Sequence, residues 1–238
     1  MSEALIPLLT LIALELILGI DNIIFISILA DKLPKEQRNK LRFWGLGMAV
    51  ILRLGLLAVI SWVIRLDNTL FTIGTIDFSG KGIILILGGI FLLWKSTKEI
   101  YYKTEHAKSD SPITSPKASF KSLLIEIIIL DLVFSIDSII TAVGMVSELW
   151  IMYTAVIISV ILMLFASKPI SEFIQHHPSF KILALSFLLL IGIALIGEGL
   201  KFEIPKGYIY FSMAFSFIVN LIQIYTNAEP KSVIKEKI

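Results

Sequence analysis

Residues 15–24 read Glu15-Leu-Ile-Leu-Gly-Ile-Asp21-Asn22-Ile-Ile, and the same pattern returns 116 residues later as Asp131-Leu-Val-Phe-Ser-Ile-Asp137-Ser138-Ile-Ile. Acid matches acid, and apolar matches apolar. Both copies lie within long apolar runs, where a carboxylate at the centre of a membrane-spanning helix costs about 3 kcal/mol on insertion scales. A repeated acidic motif in such surroundings points to two copies of one membrane unit.

The rest of the chain supports a bilayer as its solvent. Hydrophobic residues make up 56% of the sequence and mean hydropathy is +0.88, far above a soluble domain of this length. A span needs about 20 mostly apolar residues. That rule predicts seven helices, at roughly 4–30, 43–64, 83–101, 121–145, 149–167, 181–199 and 207–226. The first run has no basic start and no small-residue cleavage site, so it is expected to be a retained helix rather than a signal peptide. Cysteine is absent, which excludes disulfides, a thiolate nucleophile and a soft thiolate metal site.

Basic residues mark the cytoplasmic side. The connections after spans one, three and five, with the C-terminal tail, hold 16 of the 21 Lys and Arg. The opposite side holds Arg65, Lys81, Lys201 and Lys206, and Arg53 lies within a span. The N-terminus is therefore expected outside and the C-terminus in the cytoplasm.

A weaker echo, Gly89-Ile-Phe-Leu-Leu against Gly192-Ile-Ala-Leu-Ile, extends the repeat. The expected architecture is an all-α membrane protein of seven transmembrane helices: a three-helix repeat at 1–102, a flexible cytoplasmic loop at 103–119, a second three-helix repeat at 120–200, and a seventh helix with its tail at 201–238. Three is odd, so the second repeat enters the membrane inverted, the arrangement in which transporters hold substrate at the midplane. Inversion places Glu15 level with Asp137 and Asp21 level with Asp131, the two levels six residues or ~9 Å apart.

Arg53 is the only base well inside a predicted span, whereas five acids lie there: Glu15, Asp21, Glu126, Asp131 and Asp137. Most must then be protonated, hydrated or bound to a cation, because neighbouring carboxylates do not all ionise in low dielectric. Carboxylates, the Asn22 amide and the hydroxyls of Ser135 and Ser138 form an oxygen-rich set that suits Mn, Mg or Ca. The histidines, His106, His176 and His177, fall in predicted loops and read as solvated. Residues six apart point about 120° from each other on a helix, so Glu15 and Asp21 share a face only if the helix breaks; a break at Gly19 is expected. Glu126 shares a face with Asp137. The acids could instead be hydrogen-bonding glue between helices, but glue requires neither duplication nor so much negative charge. Asn220 and Gln223 are read as interhelical hydrogen-bonders, the glycines at 88, 89, 192 and 197 as close-packing positions, and Trp62, Trp150, Tyr208 and Tyr210 as an interfacial belt.

The motifs resemble the TerC family of integral membrane proteins. Besides the two acidic strings, the resemblance runs through Leu33-Pro34 with Gln37-Arg38, Asp77-Phe-Ser-Gly, Leu87-Gly-Gly-Ile-Phe-Leu-Leu-Trp-Lys, Ser186-Phe-Leu-Leu-Leu-Ile-Gly and Ile204-Pro-Lys-Gly-Tyr-Ile-Tyr. It implies a LysE-type transporter fold with inverted repeats, a bacterial inner-membrane location and, for several members, manganese export. Family metal-site positions carry over onto Glu15, Asp21, Asn22, Asp131, Asp137 and Ser138, and onto Glu126.

The expected function is secondary export of a divalent cation, Mn2+ first among candidates, with protons as a possible counter-ion, no permanently bound cofactor and no nucleic acid. No Walker loop is present to supply ATP energy. An intramembrane aspartyl protease also needs two embedded aspartates, but its Tyr-Asp and Gly-x-Gly-Asp signatures are missing, so no enzyme activity is expected. Two alternatives stay open: a non-transporting membrane partner in metal or tellurite tolerance, and an exporter of another small solute. An amino acid's carboxylate suits the set poorly while Arg53 is its only base.

Overall fold

Backbone in hydrocarbon must satisfy its own N–H and C=O groups, and apolar runs do so as helices. The computed structural model describes residues 2–74, 76–105, 119–146, 148–202 and 204–226, without the side chains of residues 2, 3, 21, 76, 103, 105 and 178. Most of the predicted loop at 103–119, including His106, lies outside the described residues.

Helix α1 spans Ser2–Ala30, α2 Lys35–Ala58, α4 Gly80–Glu105, α5 Phe120–Met145, α6 Leu149–His176, α7 Pro178–Gly199 and α8 Lys206–Thr226. Among them α1, α2, α6, α7 and α8 are long and apolar enough to cross a membrane. Between α2 and α4 the chain makes a short helix, α3 (Ile60–Arg65), and a hairpin of β1 (Thr69–Ile73) and β2 (Ile76–Ser79). The hairpin, stapled by stacking of Phe71 on Phe78 at 5.2 Å, was not expected. Its strands are too short to compete with the helical runs as sequence signals.

The helices outrun the predicted spans at their polar ends. Helix α2 begins at Lys35, eight residues before the apolar run, because Lys, Glu, Gln and Arg are good helix formers once the run is nucleated. Likewise His176 ends α6 and His177 caps it. Their rings donate to the carbonyls of Glu172 and Phe173 at 2.7 and 2.9 Å.

The expected break at Gly19 is absent: α1 is helical without interruption, and so is α5. Gly19 serves packing instead. A Cβ there would collide with the Met163 side chain of α6, so the residue lets two helices approach rather than letting one unwind.

The most extensive helix contacts are α4 with α7, α1 with α6 and α2 with α5. The α4–α7 seam is antiparallel and made by glycine. A Cβ on Gly89 would lie 2.6 Å from the Gly192 carbonyl oxygen, and one on Gly82 would lie 2.7 Å from that of Gly199. Small residues at such seams allow the backbone approach that drives helix association in lipid. By contrast α8 packs mainly on α7, and only 6% of its apolar window is buried. Ser179 donates to Asn220 at 3.1 Å, which gives Asn220 its expected interhelical role.

Gly89→Val should therefore lower stability by about 1–3 kcal/mol through overpacking, whereas Gly55→Ala, where nothing lies within 4 Å of the new carbon, should not. Thermal unfolding in detergent checks the pair; equal midpoints would show that the seam is not close-packed.

Candidate functional site

Among the buried residues of α2, Leu41, Gly45, Ala49, Arg53 and Leu57 recur every fourth position, so the helix turns Arg53 into the bundle. Arg53 is 1% exposed and meets Glu15 of α1 and Asp131 of α5, each 3% exposed. One guanidinium nitrogen, Nη1, donates to Glu15; the other, Nη2, reaches Asp131 Oδ1 at 3.4 Å. The first acids of both motifs thus share one arginine.

The remaining positions of the motifs complete the group crosswise. Asn22, which ends the first motif, donates to Asp131 Oδ1 at 3.2 Å. Ser138, which ends the second, stands beside the Glu15 carboxylate. Ser135 donates to Asp131 Oδ2 at 3.1 Å. Helices α1 and α5 therefore cross antiparallel, each motif's first acid meeting the other's last polar residue. Two carboxylates face one guanidinium, leaving one unit of negative charge, when both are ionised, for a proton or a cation to balance.

Asp137 belongs to a second group. Lys81, in the first turn of α4, lies 3.0 Å from its Oδ1 and 2.8 Å from Glu198 near the end of α7. Lys206, in the first turn of α8, pairs with Asp137 and lies 3.5 Å from Glu198. The four side chains close a ring in which each ammonium touches both carboxylates. A cavity of about 40 Å³ lies against it, bounded by Leu18, Phe134, Asp137, Ala194, Glu198 and Lys206 among others.

Glu126 joins neither group. It pairs with Lys95 of α4 at 2.7 Å, although spacing puts it on the Asp137 face of α5. Nearby in sequence to the first connection, Lys32 pairs with Glu99 and Asp31 takes Lys181 at 2.5 Å and Arg38 at 3.3 Å.

Of the seven predicted site residues, four come together around Arg53: Glu15, Asn22, Asp131 and Ser138. Asp137 and Glu126 sit in separate ion pairs, and the Asp21 side chain lies outside the described residues. The expected facing of Glu15 with Asp137 is replaced by Glu15 beside Ser138, and Asp131 takes a hydrogen bond from Asn22. The expectation that Arg53 alone could neutralise the acids is corrected: Lys81 and Lys206, from the first turns of α4 and α8, and Lys95, from within α4, pair with them as well. Glu198 was missed, although an acid closing an otherwise apolar run was a visible signal. Among the described residues no three His, Asp or Glu side chains converge as a metal-holding group.

Long apolar helices around buried, duplicated acids define an integral membrane protein with an internal polar centre. The chain matches the integral membrane protein TerC family over residues 1–232 and belongs to that family. It is 51% identical over 214 residues to the UPF0053 inner membrane protein YoaE of Escherichia coli, covering 90% of this chain and 41% of YoaE. This chain thus spans less than half of YoaE. The match to a UPF0053 protein of Haemophilus influenzae is 50% over 222 residues, covering 93% and 94% of the two chains. With the UPF0053 inner membrane protein YgdQ of Escherichia coli it is 48% over 218 residues, covering 92% and 91%. No solved structure matches the chain.

Removing one partner of a buried ion pair strands the other, at about 3–5 kcal/mol. Arg53→Gln should lose stability on that scale, and adding Glu15→Gln should recover part of it. Thermal unfolding of the single and double variants tests this; a double variant no more stable than Arg53→Gln would mean that Glu15 does not depend on the arginine.

Proposed function

We propose that this protein is a secondary transporter of the bacterial inner membrane that exports a divalent metal cation, with Mn2+ the first ion to test. The carrying observation is the central group, in which the first acids of both motifs, Glu15 and Asp131, share the single cation Arg53. Such a group holds surplus negative charge in a desolvated place, and a cation passing through would balance it. Asp137, and Asp21 with it by the repeat, would extend the path to a second depth, with Asn22 and Ser138 supplying neutral oxygens. Metal and protein cations would alternate as partners of the acids, and protons are the candidate counter-ion.

The architecture that goes with this reading is seven spans, α1, α2 and α4 forming one repeat, α5, α6 and α7 its inverted copy, and α8 standing outside both. An operation exchanging α1 with α5, α2 with α6 and α4 with α7 turns the α1–α6 contact into α5–α2 and leaves α4–α7 in place; those are the three most extensive contacts. It also turns Glu15 beside Ser138 into Asp131 beside Asn22. The excess of basic residues on one set of connections supports an outside N-terminus and a cytoplasmic C-terminus. Two relatives named as inner membrane proteins support the location.

A second reading, export of a zwitterionic solute, is favoured by the mixed ring of Lys81, Lys206, Asp137 and Glu198, which offers partners to an amine and to a carboxylate. Flux from vesicles containing the full chain separates the two. Mn2+ release should fall by at least about tenfold, or 1.4 kcal/mol, in Asp131→Asn and in Asp137→Asn, both still folded. Unchanged Mn2+ flux in both variants would defeat the metal reading, and saturable amino-acid counterflow in its place would establish the second.

A further inference from the structure

We infer that Lys81 and Lys206 are the selectivity-determining residues of the path: tethered ammonium groups that cap Asp137 and Glu198 and yield only to a cation carrying enough charge to replace both. This rests on the transport reading and adds a gate to it. The ring is closed on all four sides, Lys81 to Asp137 at 3.0 Å and to Glu198 at 2.8 Å, and Lys206 to Asp137 and, at 3.5 Å, to Glu198. Two carboxylates are thus matched by two ammonium groups, and one divalent ion restores the same balance. A monovalent ion replacing both would leave a carboxylate uncompensated in low dielectric, which is strongly unfavourable.

The two lysines are held differently. Lys81 adjoins Gly82, whose backbone is pressed against Gly199 in the glycine seam, and its side chain is 13% exposed. Lys206 is 37% exposed and starts the least buried of the candidate spans. Lys206 is therefore the more readily displaced of the two, and the ring opens fully only when both ammonium groups leave it together. Asp137, Glu198 and Lys206 border the cavity of about 40 Å³, more than the volume of about 10–15 Å³ that one water requires. A cation that takes the place of the ammonium groups has space beside it.

The absence of cysteine makes a labelling test clean. Ala194 lines the cavity, so Ala194→Cys in the full chain, in nanodiscs, reports its opening to a charged, water-soluble thiol reagent. Labelling should be slow in that background and rise roughly tenfold or more with Lys206→Gln, tenfold corresponding to 1.4 kcal/mol of closure. Lys206→Arg, which keeps the charge, should stay slow. Millimolar Mn2+ should speed labelling with Lys206 intact, and K+ at the same concentration should not. Unchanged labelling in Lys206→Gln, or opening by K+ as readily as by Mn2+, would overturn the proposal. If Lys206→Gln opens the cavity and Mn2+ alone speeds labelling, yet vesicles with the native chain release no Mn2+, the transport reading fails while the ammonium cap stands.

Discussion

Charge inside a bilayer must be balanced where it lies, because water is not there to do it. Arg53 answers part of that constraint for two helices at once. By reaching Glu15 from one side and Asp131 from the other, it ties α1, α2 and α5 together at the centre of the bundle. The acids would otherwise favour protonation or solvent, and helices carrying them would have little reason to meet. Apolar packing cannot replace this tie, since lipid tails are as good a neighbour for Leu or Ile as another helix is.

Around that tie the remaining structure divides into a rigid seam and a loosely held edge. Glycines bring α4 and α7 into backbone contact, and Lys81 and Glu198 project from the same end of that seam. Helix α8 lies at the edge, contributing Lys206 to the charged ring while burying little of itself. On our reading this is how a transporter would be built: a fixed pair of helices to hold the path, a peripheral helix to release it, and acids whose protein partners stand in for the substrate.

The helices, the membrane setting and the acidic pair were legible in the sequence because each rests on strong signals: runs of apolar residues, a net excess of basic residues on alternate connections, and one string seen twice. Laying one string over the other also singled out the stretches of α1 and α5 that meet, Glu15 beside Ser138 and Asn22 beside Asp131. What could not be read was which cation each acid takes. Lys81 and Lys206 lie at helix starts, where a lysine ordinarily turns to the headgroups, and Lys95 lies in the last third of its predicted span; that each turns to an acid depends on packing that a single string does not carry. Gly19 misled for a related reason. A glycine beside an acid suggests unwinding in one dimension, whereas the neighbour that explains it, Met163, is 144 residues away. The β1–β2 hairpin is too short to leave a periodic signal.

On our reading the buried acids exchange protein cations for a divalent cation. An experimental structure of the full chain determined with Mn2+, using anomalous scattering to locate the metal, tests it most directly. The expected result is manganese bonded to carboxylate oxygens of the Glu15–Asp131 group or of Asp137, with Arg53 or Lys206 withdrawn from its present partner. Manganese confined to the protein surface, with both ion-pair groups intact, would contradict it.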